Sequence, residues 1–302
     1  MDSGQWKYYH HNFMQYAVIN LSMKPVYILL FSLFILPSVV FAGGGWLQPK
    51  GSGYFKLGQS FIIAGQYYQP NGEIVDITTI SLFTTSAYLE YGLTGRLTGT
   101  LYFPFFVRST LNATEYTSGR ATDPGDFVNG LGDTNVGLKY GIITDGSIAV
   151  AVGLTLGLPL GETAGGETQI LQTGDGEFNQ LLTVEASKSF GKVYATALIG
   201  FNNRTEDFSD EFHIGFEIGR SWNDRWLTQL RIYSVNSFMN GDAAGGAGNS
   251  IFANDTEFLA ITPEIAYNIH DNFGVTVNAG FAAYGRKILA APNYGAGLFY
   301  TF

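Results

Sequence analysis

No cysteine occurs anywhere in the 302 residues. Disulfides, thiolate nucleophiles and thiolate metal sites are thereby excluded, and the chain suits an oxidising compartment. Charge is scarce as well. Asp, Glu, Lys and Arg make up 14% of the sequence, against roughly 25% in ordinary soluble domains. The balance is acidic, with a net charge of −9, and no Lys/Arg run exists, which argues against a nucleic-acid partner. Long apolar runs are also missing. After residue 42 no uninterrupted apolar stretch reaches the roughly 20 residues of a spanning helix, although 46% of the chain is hydrophobic.

Apolar content without long apolar runs is what alternating strands supply. In Ser147–Leu160, SIAVAVGLTLGLPL, the even positions from Ile148 to Leu160 are all bulky aliphatics, and the positions between them are Ala, Gly, Thr and Pro. Successive strand side chains point to opposite faces, so one face is bulky and the other small or weakly polar. Seven alternating aliphatics exceed the usual soluble strand and match the roughly 9–11 residues of a tilted strand crossing a bilayer.

Residues 1–22 show no pattern and read as an over-long gene start ahead of Met23. Lys24, the apolar run Val26–Val40 and Phe41-Ala42 describe a signal peptide over 23–42, cleaved before Gly43. The alternative is an N-terminal membrane helix, but Pro37 interrupts the run and no charged stop follows. From residue 53 onward about twelve strands alternate five short turns with six longer polar connections, the first of them the long polar loop GQYYQPNGEIVDIT (65–78). The short turns are flanked by Tyr91, Tyr140, Phe190, Trp222, Trp226 and Phe273, as an aromatic girdle at a membrane interface requires. The expected fold is all-β: an antiparallel transmembrane up-and-down β-barrel of about 12 strands over 43–302. Pro263 falls within a strand, so a bulge is expected there. Gln180 and Lys188 share the lipid-facing parity, with Lys188 snorkelling to the interface.

The final strand places Tyr294, Ala296, Leu298, Tyr300 and Phe302 on one face and ends on that Phe. In this it resembles bacterial outer-membrane β-barrel proteins. The resemblance implies that Tyr300 and Phe302 belong to the signal read by the barrel assembly machinery. It also implies an outer membrane with lipid and lipopolysaccharide around the barrel, and termini in the periplasm. EYGLTGRLTGTLYFPF (90–105), GLGDTNVGLKYGI (130–142) and APNYGAGLFYTF (291–302) are similar to outer-membrane transporters grouped with a phenol-degradation-pathway protein. That similarity implies an uptake pore and no catalytic motif.

If the bulky parity faces lipid, the opposite parity faces a lumen. Its candidate lining includes Lys56, Glu90, Arg96, Asp133, Lys139, Glu185, His213, Glu217, Arg231 and Glu264, with Tyr284 among the uncharged members. Acids and bases occur together, so either a narrow conduit for a small solute or a lumen plugged by ion pairs fits. In the plugged case the long connections would bind something outside. A lipid-modifying enzyme would need an accessible His and Ser. Beyond residue 42 only His213 and His270 exist, and no GxSxG, HExxH or phosphate loop appears. TGDGEFN (173–179) has oxygen-rich loop chemistry but not the spacing of an EF-hand. No cofactor is expected.

Overall fold

In the computed structural model, residues 44–115, 123–242 and 252–302 are described. The expected leader and the residues before it lie outside them. Fourteen strands form in chain order: β1 (Gly53–Tyr68), β2 (Ile74–Thr94), β3 (Leu97–Leu111), β4 (Asp126–Gly130), β5 (Thr134–Ile143), β6 (Ala149–Leu158), β7 (Asn179–Phe190), β8 (Val193–Asn203), β9 (Glu211–Ser221), β10 (Trp226–Ser237), β11 (Glu257–His270), β12 (Phe273–Arg286), β13 (Ile288–Leu289) and β14 (Asn293–Thr301). Twelve of them are staves, each antiparallel to the next, and β14 pairs with β1 to close the barrel. β4 extends the wall beside the far end of β3, and β13 beside the far end of β1.

Closure follows from the alternation. Phe55, Leu57, Leu138, Leu154, Leu182, Phe216 and Val277 all point outward and stay exposed, which suits a lipid-facing belt and no aqueous surface. The girdle aromatics Tyr91, Tyr140, Phe190, Trp222, Trp226 and Phe273 are likewise exposed on the outer face near the short turns. Gly191, at φ 75°, takes the left-handed conformation that the two-residue turn between β7 and β8 requires. Both described chain ends lie at this turn end. Gly53 and Phe302 exchange backbone hydrogen bonds of 2.8 and 3.0 Å. Lys188 faces outward as expected, with its ammonium 5.2 Å from the centre of the Phe190 ring.

Four expectations are corrected. The polar stretch after Ile63 is not a long loop: β1 and β2 pair as far as Tyr68 and Ile74, leaving only Gln69–Glu73 as a turn. Its polarity misled because a strand that has left the membrane need not be apolar. Pro263 causes no bulge. Ile261 still pairs with Phe281 and Glu264 with Asn278, in one unbroken register; the missing N–H removes ladder contacts without shifting the strand. The bulge in β11–β12 falls instead at Leu259/Ala260. It reverses parity, and Tyr284 is 45% exposed on the outer face. Arg96 belongs to the turn between β2 and β3, exposed, and lies outside the lumen.

Leu154 sits midway along β6. Leu154→Arg is expected to lower the unfolding free energy in urea titration by about 2–4 kcal/mol, whereas Ile143→Arg, beside a turn, should cost about 1 kcal/mol or less.

Candidate functional site, the barrel lumen

Charges gather on the inner wall, where register decides their partners. Arg231 and Glu217 are directly opposed on β10 and β9, and Arg231 Nε and Nη2 both donate to Glu217 Oε2, at 3.0 and 2.8 Å. The Tyr194 hydroxyl donates to Glu217 Oε1 at 2.8 Å and accepts from Gln229 Nε2 at 2.6 Å. Half of the Arg231 side chain, 51%, stays accessible, so water reaches the lumen here. Lys139 pairs with Glu185 at 2.9 Å. Lys56 reaches from β1 past β14 and β12 to Glu264 on β11, at 3.1 Å. Gly297 makes room for it, since a Cβ there would come within 2.7 Å of Lys56 Cε. Asn278 Nδ2 also donates to Glu264.

At the turn end, residues 44–52 cross the inside of the barrel. Gly45 N donates to Ser187 Oγ, and Lys139 Nζ donates to the Gly44 carbonyl at 2.7 Å. Trp46 packs edge-on against Tyr194. Gln48 N donates to Thr98 Oγ1 and its Nε2 to Glu90 Oε2, and Gly51 N donates to the Gly92 carbonyl. The segment therefore touches inner faces from β8 round to β2. It lies over the small face of Ser147–Leu160: Ala149 and Ala151 are buried, and a Cβ on Gly45 would stand 2.7 Å from the Ala149 carbonyl. Sequence reasoning did not find this segment, because Gly43–Ser52 has no period and few charges.

At the opposite, loop end the connection 159–178 folds onto the inner face of β4. Asp126 accepts from the backbone N–H groups of Glu167 and Thr168. A Cβ on Gly165 would meet Val128, and one on Gly130 would meet Thr173. Asp133 is not a lumen group: it accepts from Gly161 N and Asp175 N and pins the two ends of the connection together. The connection then meets Arg204, whose side chain is 5% exposed. Its Nε donates to Glu177 (2.6 Å), Nη1 to Glu211 (2.8 Å) and Nη2 to Asp175 (3.0 Å), and its guanidinium lies 4.4 Å from the centre of the Phe208 ring. The oxygen-rich TGDGEFN carboxylates are thus engaged by a cation of the chain itself. No cluster of metal-ligating side chains occurs among the described residues. Arg204 was also missed, although it is the only Lys or Arg between Lys192 and Arg220 and faces acidic text on both sides.

His213 is inward and buried. Its Nε2 lies 3.0 Å from Glu211 Oε2 and its Nδ1 2.6 Å from the Tyr233 hydroxyl. With the proton assigned to Nε2, that nitrogen donates to Glu211 while Nδ1 accepts from Tyr233. Its bonded neighbours are this Glu and Tyr, inside the barrel, where a lipid-facing hydrolase would place a serine. His270 is exposed at the end of β11, beside a turn. Glu90 is buried and, among the described residues, accepts only from neutral groups, Gln48 (2.8 Å) and Tyr88 (2.5 Å).

The comparisons with known proteins agree with this architecture. No family model matches the chain, and no curated protein matches it. Solved structures do. The COG4313 outer membrane channel from Pseudomonas putida F1 superposes with a TM-score of 0.61 at 12% identity, over 87% of this chain and 100% of that one. The NanC porin superposes with a TM-score of 0.52 at 9% identity, over 82% and 100%. At such identities the likeness concerns the fold: a closed twelve-stranded antiparallel β-barrel of the kind found in bacterial outer membranes.

Burial, then the neighbouring Glu177 and Asp133, push the Asp175 carboxyl up to about 7 against the lowering pull of Arg204. A raised folded value means that the folded chain keeps a proton which the unfolded chain has already released. The contribution is present below the ordinary Asp range and lost as pH rises through about 7. Amide protection of 159–178 in hydrogen exchange should accordingly fall between pH 5.5 and pH 8, and Asp175→Asn should abolish that fall. Arg204→Met, which strands three carboxylates, should loosen the same connection at both pH values, by about 3–5 kcal/mol.

Proposed function

We propose that the protein is an outer-membrane pore through which a small solute passes, without a catalytic step. The observation that carries this reading is the segregation of charge. Charged residues in mid-strand point inward and pair across the inner wall, Arg231 with Glu217 on the neighbouring stave and Lys56 and Lys139 past intervening staves, while a continuous apolar band faces out. A charge on the lipid face would cost roughly 2–4 kcal/mol at mid-depth, and a polar interior is what a water-filled path needs. The two solved structures above are a channel and a porin by their own descriptions, which favours the same class here. In this reading the turn end lies in the periplasm and the loop end outside the cell. Tyr300 and Phe302 serve the barrel assembly machinery, and lipid and lipopolysaccharide surround the wall. The similarity to the phenol-pathway transporters points to uptake and names no cargo.

A plugged interaction barrel is the second reading. Segment 44–52 and connection 159–178 favour it, because each occupies one end of the lumen.

Single-channel recording in a planar bilayer separates the two. Discrete, reproducible steps are expected from the refolded chain, with larger steps once the residues up to 49 are removed, since residues 44–49 cross the turn end. Silence in both forms, with heat-modifiable gel mobility attesting a folded barrel, would favour the plugged reading.

A further inference from the structure

The inner charges do not cancel. Lys56–Glu264, Lys139–Glu185 and Arg231–Glu217 are each neutral as pairs. Beyond them, Arg204 faces three carboxylates, Asp175, Glu177 and Glu211. Among the described residues, the Glu90 carboxylate is met by the amide of Gln48 and the hydroxyl of Tyr88 and by no cation. With every carboxylate ionised, these groups carry an excess of three negative charges, and Asp126 on the inner face of β4, bonded by N–H and hydroxyl donors, adds a fourth. The excess is also distributed. Glu90 stands at the turn end beside segment 44–52, and the Arg204 group stands at the loop end beside connection 159–178. These are the two places where the lumen is narrowed, so a passing ion meets negative charge at both constrictions.

The geometry strengthens the field there. Low-dielectric walls focus the potential of charges in a narrow channel, whereas exposed rim charges are screened over a Debye length of about 10 Å at 0.1 M salt. The basic residues near the turn end, such as Arg96, Lys192 and Arg225, are exposed at turns and weigh correspondingly less. Arg231, the most accessible inner base, is neutralised by two hydrogen bonds to Glu217.

We propose that the pore passes small cations in preference to anions, and that Glu90 and the carboxylates around Arg204 set this preference. The inference rests on the pore reading above and adds the charge of the solute to it. Its chemistry fits a potassium-sized ion or a small organic ammonium better than a carboxylate or phosphate.

The test is the reversal potential of single channels of the unmodified protein, in a KCl gradient at pH 8 across a planar bilayer. A potassium-to-chloride permeability ratio on the order of 3 to 10 is expected. Glu90→Gln, which keeps side-chain shape, should lower it at least twofold, and Asp175→Asn should lower it independently at the other end. A ratio at or below one, with clear conductance, would overturn the inference and leave the pore reading standing. So would a preference that neither substitution lowers, because the charges named would not be its source. A silent bilayer would overturn the pore reading and this inference with it.

Discussion

Within a bilayer no water is available to satisfy a backbone N–H or C=O, so a sheet can cross only if it has no edge. Every other property of this molecule depends on that requirement. The seam between β1 and β14 runs from Tyr54 opposite Thr301 to Ile62 opposite Asn293 without a slip, and the reciprocal Gly53–Phe302 bonds finish it. Once closure is enforced, period two sorts side chains into lipid and lumen with no third option, and charges at mid-depth must go inside. A polar pair left outside in mid-strand, Gln59 with Thr85, satisfies itself: the Thr85 hydroxyl donates to Gln59 Oε1 at 2.6 Å.

The interior is built by the same rule at finer scale. Inward positions alternate between side chains that reach and residues that make room. Gly297 is the floor over which Lys56 extends, and Ala149 and Ala151 are the floor on which residues 44–47 lie. Bulk at such positions would leave no path for the ion pairs. The small face of Ser147–Leu160 is thus explained by what covers it, and emptiness of the lumen is not needed to account for it.

Much of the fold was legible because lipid and lumen make opposite demands on consecutive residues. The even strand number, the turn-end girdle and the terminal aromatic all follow from that contrast. It stops at the membrane surface. The polar residues 65–78 read as a loop although β1 and β2 continue into them on either side of the turn Gln69–Glu73, since a ribbon in water needs no apolar face. Parity predictions failed where a bulge intervened, as at Tyr284, or where a strand ended sooner than supposed, as at Arg96 and Asp133. The lumen charges themselves were legible; their partners were not, because pairing across staves depends on register. Lys56 with Glu264 and Arg204 with Glu177 join residues far apart in sequence with nothing local to announce them. Segment 44–52 was invisible for a related reason: it is held by contacts made one residue at a time with six different staves.

The first stave finds its second neighbour in the last. Until Phe302 has been made, β1 has an unpaired edge, and so does each newest strand in turn. No closed sub-barrel exists as an intermediate in which that edge is hidden, and unpaired strand edges invite aggregation. High contact order also slows folding. Closure of the barrel therefore waits on its last strand, and every step before that pairing is taken with an open sheet edge.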